Sequence, residues 1–308
     1  MSTKQHQPVL LQPAVDALIG AEDGFYIDAT FGRGGHSLEI LSRLGEQGSL
    51  MVFDRDPAAI KVALQLQISE SRLQVVHSEF STLDERAEEA GKSGQVDGVL
   101  LDLGVSSPQL DQAERGFSFQ ADGPLDMRMN PEQGMSAAEW IATRQEAEII
   151  SVLKEYGEER FARRIAAAIV QRQQLEPITR TGDLAEIVKA AIPRWEKGKH
   201  PATRSFQAIR IAVNDELYQI TKGLEAAYAV LKNGGRLVVI SFHSLEDRLV
   251  KRFMRNKANP APPPRGLPVP PEPPTLKLVG KPCKASDIEL DQNPRARSAV
   301  LRVAEKLV

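Results

Sequence analysis

The sequence predicts an α/β protein whose mostly parallel sheet is interrupted by a helical insertion. Short apolar runs of strand length alternate with helical segments up to residue 109 and again from residue 203. Between residues 110 and 202 the helical pattern continues without a strand-like run. We therefore predict an α/β domain formed by residues 1–109 and 203–308, and an inserted all-helical domain formed by residues 110–202.

The clearest unit of the predicted sheet runs from Phe25 to Asp54. It consists of an apolar strand over 25–30, a glycine-rich turn, an amphipathic helix that reaches Leu44, and a second apolar strand over 50–54. Because a parallel strand pair needs a crossover of about a dozen residues, this order predicts a β-α-β unit.

The turn and Asp54 together have the features of a nucleoside-cofactor site. Gly32, Gly34 and Gly35 lack a Cβ atom, so the backbone can bend sharply and a ligand can approach it closely. The amide groups at the start of the following helix carry partial positive charge. Asp54 ends the second strand, where a carboxylate can accept hydrogen bonds from both ribose hydroxyls.

Two cofactor classes and a ligand-free turn compete for these residues. A dinucleotide-binding turn requires a third glycine, but Ser37 occupies that position. The pattern Asp28-x-x-x-Gly32-x-Gly34 instead resembles the first motif of S-adenosylmethionine-dependent methyltransferases, which we favour. The third interpretation is a turn without a ligand, and the spacing of Asp54 argues against it.

Further apolar runs complete the sheet. We predict strands over 73–77, 96–102 and 236–242, and a terminal hairpin of strands near 275–279 and 298–303. Together with the first two strands, this order suggests the Rossmann-like seven-stranded methyltransferase sheet with one antiparallel strand. Predicted helices cover part of 8–19, then 57–68, 81–90, 136–142, 145–155, 158–174, 182–192, 203–231 and 245–256.

Two of these helices have recognisable ends. Asp56 and Pro57 form a good N-cap and first turn for the helix over 57–68. Asn233-Gly234-Gly235 is expected to end the helix over 203–231 as a C-cap.

Residues 258–274 contain nine of the 20 prolines and predict an extended loop. That loop is a candidate ligand for a partner's aromatic groove, although a surface spacer is the simpler interpretation.

Side chains after the third and fourth strands add candidate site residues. Phe80 is a candidate to pack on an adenine ring, and a core phenylalanine is an equally good interpretation. Asp102 ends the fourth strand, and Ser106, Ser107 and Pro108 follow it. A serine oxygen or a backbone carbonyl there could accept hydrogen bonds from an exocyclic base amine and orient it for methyl transfer. A plain turn is the alternative.

Composition excludes several classes of protein. The single cysteine, Cys283, excludes an intrachain disulfide and a cysteine-built zinc site, and we predict no metal. No apolar run has the roughly 20 residues that a membrane helix needs. Residues 1–8 lack the apolar core of a signal peptide, so we expect a cytoplasmic protein. The net charge of −2 means that nucleic-acid binding requires local basic patches.

Seven long motifs lie at residues 31–37, 101–110, 114–119, 123–129, 200–204, 240–248 and 293–298. Together they resemble one family over nearly the whole chain, the bacterial ribosomal RNA small-subunit methyltransferase H family, also called MraW. The resemblance implies methyl transfer from S-adenosylmethionine to N4 of a cytidine at the decoding centre of small-subunit (16S) rRNA. Carried over residue by residue, it implies cofactor contacts by Gly34, Gly35, His36, Asp54, Phe80, Asp102 and Gln109. His36 and Gln109 come from the resemblance alone.

The catalytic assignment rests on fewer observations. Ser106, Ser107 and Pro108 are the candidates for holding the target amine. His243 follows the fifth strand and is a candidate to contact the base or to accept the departing proton. A histidine in a strand-to-helix loop is more often structural, and proton loss to water would serve equally well. The predicted partner is small-subunit rRNA or the small ribosomal subunit, with no DNA and no membrane, and a homodimer is left open. The alternatives are a cofactor-binding assembly factor without catalysis, or a methyltransferase of another RNA or of a protein amine.

Basic and aromatic residues are the candidates for RNA contact. The basic groups are Arg160, Arg163 and Arg164, the run 194–200 with Arg204, and Lys251, Arg252, Arg255 and Lys257. Each group also fits a simple solvated helix face. Phe117, Phe119 and Trp195 are candidates to stack on an unpaired base, provided that they are exposed.

Overall fold

The computed structural model of the chain describes residues 8–194, 198, 200–262 and 272–307. These residues divide into two compact units. The first spans Met1–Gly104 with Leu217–Val308, and the second spans Val105–Glu216. Among the described residues, no helix is both long and apolar enough to cross a membrane.

A seven-stranded sheet organises the first unit. The strands are Phe25–Asp28 (β1), Ser49–Asp54 (β2), Leu73–His77 (β3), Val96–Asp102 (β4), Leu231–Ser241 (β5), Leu276–Leu278 (β6) and Val300–Lys306 (β7). Their order is β3-β2-β1-β4-β5-β7-β6. Strands β1 to β5 pair in parallel, whereas β7 is antiparallel to β5 and β6. The predicted sheet with one antiparallel strand is therefore confirmed. The order reverses between β1 and β4, and ligands of such sheets bind at the carboxyl ends beside that point.

The α-helices follow most of the predicted positions. They are Leu11–Leu18 (α1), Gly35–Arg43 (α2), Pro57–Ser69 (α3), Leu83–Glu89 (α4), Ser107–Asp111 (α5), Ala137–Thr143 (α6), Glu146–Glu155 (α7), Ala162–Leu175 (α8), Thr181–Ala191 (α9), Thr203–Val213 (α10), Glu216–Val230 (α11), Ser244–Ala258 (α12) and Asp287–Gln292 (α13). The predicted cap of α3 is confirmed, because Asp56 Oδ1 accepts a hydrogen bond of 2.9 Å from the Ala58 amide and Pro57 is the first helical residue.

Two apolar cores enclose the sheet, one on each face. Successive residues of β1 alternate between them, with Phe25 and Ile27 in one core and Tyr26 in the other. Residues of α4, α11 and α12 pack in the first core, and residues of α1, α2 and α3 pack in the second. Burial of both faces explains why the parallel strands are almost continuously apolar in sequence.

The region around residues 203–241 differs from the prediction in two respects. The predicted single helix over 203–231 is two helices, α10 and α11, because Asp215 adopts a left-handed φ of 49° between them. Asn233-Gly234-Gly235 lies inside β5 and does not cap the helix. Leu231 pairs with Val96 and the register then shifts. Gly234 has a φ of 77°, so the glycines form an irregularity in the strand rather than a helix end.

The second unit is built from α5 to α10 around a core of its own, whose members include Leu125, Trp140, Ile165, Leu184 and Phe206. The division between the units falls after Gly104 and after Glu216, so both predicted boundaries, after residues 109 and 202, lie inside the second unit. The difference at the second boundary has a clear cause, since Phe206, Ala208 and Ile209 of α10 belong to this core.

One helix of the second unit starts later than predicted. The helix expected over 158–174 begins at Ala162 because Glu158 adopts a left-handed φ of 48°. The Glu159 carboxylate then accepts a hydrogen bond of 2.9 Å from the Phe161 amide. Arg160 consequently lies in the turn before α8, whereas Arg163 and Arg164 lie in its first turn.

Candidate cofactor site and target-amine segment

The glycine turn after β1 is tightly packed. Gly34 precedes α2 with a left-handed φ of 78°, and its amide donates a hydrogen bond of 2.7 Å to the Phe31 carbonyl. A Cβ atom at Gly34 would lie 2.7 Å from Cζ of Phe31, and a Cβ at Gly35 would lie 2.1 Å from Cγ of Pro8. Gly34 is therefore favoured by its backbone conformation and by the neighbouring ring, and Gly35 by the close approach of Pro8. Both agree with a turn that brings main-chain amides towards a ligand.

Three aspartates end neighbouring strands at one edge of the sheet. Asp28, Asp54 and Asp102 are the last residues of β1, β2 and β4. Asp54 is held by the turn, because its Oδ2 accepts a hydrogen bond of 2.7 Å from the Gly32 amide and its Oδ1 accepts one of 2.8 Å from the Asp56 amide. Each of these oxygens has a second lone pair, which is available to a ribose hydroxyl.

Burial raises the pKa of these carboxyl groups. It raises the pKa of Asp54 to about 6, with a smaller contribution from the neighbouring acids Asp56 and Asp28, while the hydrogen bonds from Asp56 and Gly32 oppose the shift. It also raises the pKa of Asp102 to about 6, although the nearby His36 opposes the shift. The pKa of Asp28 is raised for the same reason. With pKa values of about 6, Asp54 and Asp102 are still mostly ionised at neutral pH. The edge therefore carries negative charge, which attracts a cationic ligand.

Asp102 offers an atom that a ligand would satisfy. Its Oδ1 is buried and has no hydrogen-bond partner among the described residues. The Asp102 amide donates to the Thr30 hydroxyl at 2.7 Å, so the backbone of the residue is fixed. Buried polar atoms without a partner are uncommon, and a carboxylate oxygen suits a cationic amine or a hydroxyl. This edge therefore fits the sulfonium, ammonium and ribose groups of S-adenosylmethionine.

His36 lies between the N-terminal segment and the acidic edge. Its ring is buried, and Nε2 lies 3.1 Å from the Val9 carbonyl oxygen. Because a carbonyl can only accept, Nε2 carries the proton of this hydrogen bond. Nδ1 lies 3.6 Å from Oδ2 of Asp102. The structure thus places His36 beside Asp102 of the predicted cofactor site, and a direct contact with the ligand stays a prediction.

Phe80 follows β3 in a single turn of 3₁₀ helix over Phe80–Thr82. Its ring is partly buried and packs against the core that contains α11. Both interpretations of this residue from the sequence are thus compatible with its position, since part of the ring is in the core and part stays accessible.

The predicted amine-binding residues lie in the second unit, where they begin α5. Ser107 is the first residue of this helix and Pro108 the second, with Ser106 as the N-cap. The Ser106 amide donates a hydrogen bond of 2.9 Å to Oε1 of Gln109. Gln109 is buried, so its side chain supports the backbone of this segment. Ser106, Ser107 and Pro108 are partly exposed.

Six of the seven predicted cofactor residues belong to the first unit, and Gln109 belongs to the second.

His243 is the N-cap residue of α12. Its Nε2 lies 3.0 Å from Oε1 of Glu246, whose side chain is fully buried. The other oxygen of Glu246 accepts hydrogen bonds from the amides of Phe242 at 2.7 Å and His243 at 3.2 Å. These contacts give His243 and Glu246 a structural task at the start of the helix, and a chemical role for His243 stays a prediction.

The basic RNA candidates separate into free and engaged side chains. Lys251, Arg252 and Arg255 are exposed on α12, and none forms an ion pair with a described residue. Lys257 differs, because its Nζ lies 3.0 Å from the Glu225 carboxylate and 4.0 Å from the ring centroid of Tyr228. We define the three free residues of α12 as the α12 basic face.

The second unit carries another exposed basic group, made of Arg160, Arg163 and Arg164. Positive charge in the first turn of α8 is unfavourable for the helix dipole. Residues 195–197 and 199, which include Trp195, lie outside the described residues. Residues 263–271, which make up most of the predicted proline-rich loop over 258–274, also lie outside them.

The aromatic candidates are less accessible than expected. Phe117 is buried, with only 6% of its surface exposed, so the expectation of an exposed ring at this position is wrong. Phe119 stacks on His200 at 4.4 Å and contacts Phe206 edge-on, which holds its ring against the core of the second unit. The sequence pattern does not distinguish a buried ring from an exposed one here, because Phe117 and Phe119 both lie in a glycine-rich loop.

The site residues predicted from the sequence do not include Asp28 or Gly223, although the structure places both close to predicted cofactor residues. Asp28 is fully buried and accepts hydrogen bonds from the Ser37 hydroxyl at 2.6 Å and the Thr30 amide at 3.1 Å. Its signal was present in the sequence, as the acid that begins the methyltransferase-like motif. Gly223 of α11 contacts Phe80 from a distant part of the chain, and no local sequence pattern marks it.

A Rossmann-like sheet of this order, a glycine turn and an acidic edge with an unsatisfied carboxylate define the class of S-adenosylmethionine-dependent methyltransferases. A model of the MraW methylase family matches residues 3–307. The chain therefore belongs to the MraW methylase family, and S-adenosylmethionine is its cofactor.

A curated relative is similar over the full length. The ribosomal RNA small subunit methyltransferase H of Thioalkalivibrio sulfidiphilus (strain HL-EbGR7) is 58% identical over 305 residues, which cover 98% of this chain and 97% of the relative.

Solved structures with lower similarity include a putative rRNA methylase from Clostridium thermocellum and an rRNA methylase from Streptococcus thermophilus. The first has a TM-score of 0.45 and 12% identity, and covers 96% of this chain and 95% of its own. The second has a TM-score of 0.41 and 10% identity, and covers 96% of this chain and 92% of its own.

Proposed function

We propose that this methyltransferase transfers a methyl group from S-adenosylmethionine to N4 of a cytidine at the decoding centre of small-subunit rRNA. The observation that carries the proposal is the 58% identity to a small-subunit rRNA methyltransferase over nearly the full length of both chains. The position of the methyl group rests on the motif resemblance and on the serine-proline segment that begins α5.

The residues of the first unit would hold the cofactor. The turn at Gly34 and Gly35 presents main-chain amides, Asp54 accepts the ribose hydroxyls, Phe80 packs on the adenine, and Asp102 offers its unsatisfied oxygen to the amino group. The bound S-adenosylmethionine supplies a methyl group that is already strongly electrophilic. The protein therefore has to place the nucleophile in line with that group and does not need an activated side-chain nucleophile.

The serine-proline segment would hold the target amine. The lone pair of an exocyclic amine is delocalised into the base, which makes the nitrogen a poor nucleophile. A serine hydroxyl or a main-chain carbonyl of Ser106, Ser107 or Pro108 would accept hydrogen bonds from the N–H groups of this amine. These bonds would keep the nitrogen pyramidal and orient its lone pair towards the methyl group. After transfer the nitrogen loses one proton, and His243 or water accepts it.

The α12 basic face and the arginines before and within α8 would bind the rRNA backbone. Lysine and arginine side chains that make no ion pair within the protein can neutralise phosphates without losing an internal contact. Lys257, which is paired with Glu225, has a structural task instead.

Methyl transfer to rRNA from a strain that lacks the endogenous enzyme tests the proposal. Three substrates should be compared, namely free small-subunit rRNA, a precursor particle and mature small subunits, with labelled S-adenosylmethionine and nucleoside analysis of the product. We expect label in N4-methylcytidine on at least one substrate. Absence of this nucleoside from all three would refute the proposal. Cofactor binding without turnover would identify an assembly factor, and label in another RNA or in protein would identify a different substrate.

A further inference from the structure

Gly223 occupies the middle of α11, where a glycine weakens a helix. A Cβ atom at this position would lie 2.3 Å from Cδ2 and 2.7 Å from Cε2 of the Phe80 ring. Both distances are far below a normal contact between carbon atoms. The ring of Phe80 can therefore lie where it does only because residue 223 has no side chain.

The segment that carries Phe80 is tied to the same helix at a second point. Nε2 of Gln219 donates a hydrogen bond of 2.5 Å to Oε2 of Glu79, the residue before Phe80. Gln219 precedes Gly223 by four residues, so the two lie on the same face of α11. The other oxygen of Glu79 lies 3.0 Å from the guanidinium of Arg55, which directly follows Asp54. One helix thus positions both the ring and, through Glu79, the end of β2.

We propose that Gly223 is a positioning residue for the cofactor, because it sets the place of the Phe80 ring against which the adenine packs. The inference rests on the proposed cofactor site and goes beyond it, since the three described atoms nearest to a Cβ at residue 223 all belong to Phe80. A methyl group at residue 223 displaces the ring towards the space of the adenine and weakens binding of adenosine-containing ligands. Helix stability changes in the opposite direction, because alanine favours the helix more than glycine does.

Isothermal titration of Gly223→Ala with S-adenosylhomocysteine tests this inference. We expect the Kd to rise about tenfold, comparable with the loss of one aromatic stacking contact, while the Tm without ligand stays at the wild-type value or rises. Gly20→Ala is the matched control, because a Cβ atom at Gly20 meets nothing within 4 Å. It should leave the Kd unchanged. 5′-Methylthioadenosine, which lacks the amino-acid part, should show the same fold loss with Gly223→Ala.

A double-mutant cycle with Phe80→Ala separates positioning from general damage. Phe80→Ala alone should weaken binding, and Gly223→Ala should have no additional effect in that background, where the methyl group has room. This double variant also remains informative if the single glycine variant folds poorly. A wild-type Kd for Gly223→Ala, or the same loss in both backgrounds, overturns the inference and leaves the cofactor site intact. A wild-type Kd for Phe80→Ala refutes the role of Phe80 itself.

Discussion

Asp102 illustrates how a single buried charge connects stability with ligand binding. Its carboxyl group is ionised at neutral pH although burial raises its pKa to about 6, and one of its oxygens has no hydrogen-bond partner in the described part of the chain. Without ligand this arrangement costs folding free energy, because the unfolded chain solvates the same carboxylate fully. A ligand that donates a hydrogen bond to this oxygen recovers part of that cost.

Removing the charge of Asp102 should therefore stabilise the protein without ligand. A carboxyl whose pKa is raised on folding, here from 3.8 to about 6, destabilises the folded state most above pH 6, and this penalty disappears as the pH falls towards 3.8. We expect Asp102→Asn to raise the Tm by about 3 °C at neutral to mildly alkaline pH and by less near pH 5. Thermal melts at both pH values, with a parallel titration of S-adenosylmethionine, should show higher stability together with weaker binding. A Tm that falls equally at both values would contradict the prediction.

Asp54 should give cofactor binding a pH dependence. Its pKa is raised to about 6, so the group loses its charge as the pH falls through that value. A neutral carboxyl accepts hydrogen bonds from ribose hydroxyls more weakly than a carboxylate. We expect the affinity for S-adenosylmethionine to fall between pH 7 and pH 5, and Asp54→Asn to weaken binding about tenfold at neutral pH.

The exposed acid Asp84 on α4 provides the matched control for this titration. Asp84→Asn should preserve both the Kd and its pH dependence. If Asp54→Asn binds as tightly as the wild type at neutral pH, Asp54 does not contact the cofactor.

Ser107 should act on turnover rather than on cofactor binding. As the first residue of α5 it is partly exposed, and its proposed role is to hold the target amine. Loss of one hydrogen bond in the transition state corresponds to about tenfold in rate. We expect Ser107→Ala to lower kcat by about that factor while the Kd of S-adenosylmethionine changes less than about twofold. Ser69→Ala, at an exposed position of α3, is the control, and an unchanged kcat in Ser107→Ala would remove this hydroxyl from the mechanism.

At the scale of the elements, α12 combines a structural side with the α12 basic face. Its buried side is fixed to the sheet, because the Asp247 carboxylate binds the Arg302 guanidinium of β7 through two hydrogen bonds of 2.7 and 3.0 Å. The exposed side carries Lys251, Arg252 and Arg255 without an ion pair to a described residue. The helix thus presents the side chains that are proposed to bind phosphate on the side opposite its contacts with the sheet.

Neutralising the α12 basic face should weaken rRNA binding and leave the cofactor site unchanged. We expect the triple variant Lys251→Gln, Arg252→Gln, Arg255→Gln to lower the slope of log Kd against log salt by about 2, because each lost phosphate contact removes about 0.7 to 0.9. Filter binding to small-subunit rRNA at several salt concentrations measures this slope. Neutralising the exposed Lys61, Lys222 and Lys281 provides a control of equal charge change. An equal decrease of the salt slope in both triple variants would indicate a general effect of protein charge.

For the whole molecule, the important feature is that each unit has its own apolar core. The two cores of the first unit enclose the sheet, and the third core is formed by α6 to α10, the segments between them and residues of the loop before α6. Most of the predicted cofactor residues lie in the first unit. A ligand that binds only to the folded state stabilises, by mass action, the folded unit that it contacts.

Hydrogen exchange should reveal this division. With S-adenosylhomocysteine at about 100 times its Kd, binding adds about 2.7 kcal/mol to the stability of the folded state. We expect increased protection of amides in β1, β2 and β4, and little change in α7, α8 and α9. Equal gains in both groups would show that the two units open as one cooperative structure.

The sequence by itself determined the sheet, because its parallel strands are buried on both faces and are therefore continuously apolar over a few residues. It also determined the turn at Gly34, the acid at Asp54 and the cap at Asp56, since each depends on residues that are close in the chain. The helix break at Asp215 and the strand start at Leu231 were missed, because tertiary packing outweighed local propensity there.

Only the tertiary structure decided which distant residues meet. The contact between Gly223 and Phe80, the burial of Phe117 and the raised pKa values of Asp54 and Asp102 depend on elements that are far apart in sequence. Desolvation and steric contact are properties of the packed chain, and no local pattern encodes them. The glycine turn and its acids therefore predict the class of cofactor, whereas the place of the ring on which the adenine is proposed to pack depends on Gly223, which lies 143 residues after Phe80 in the chain.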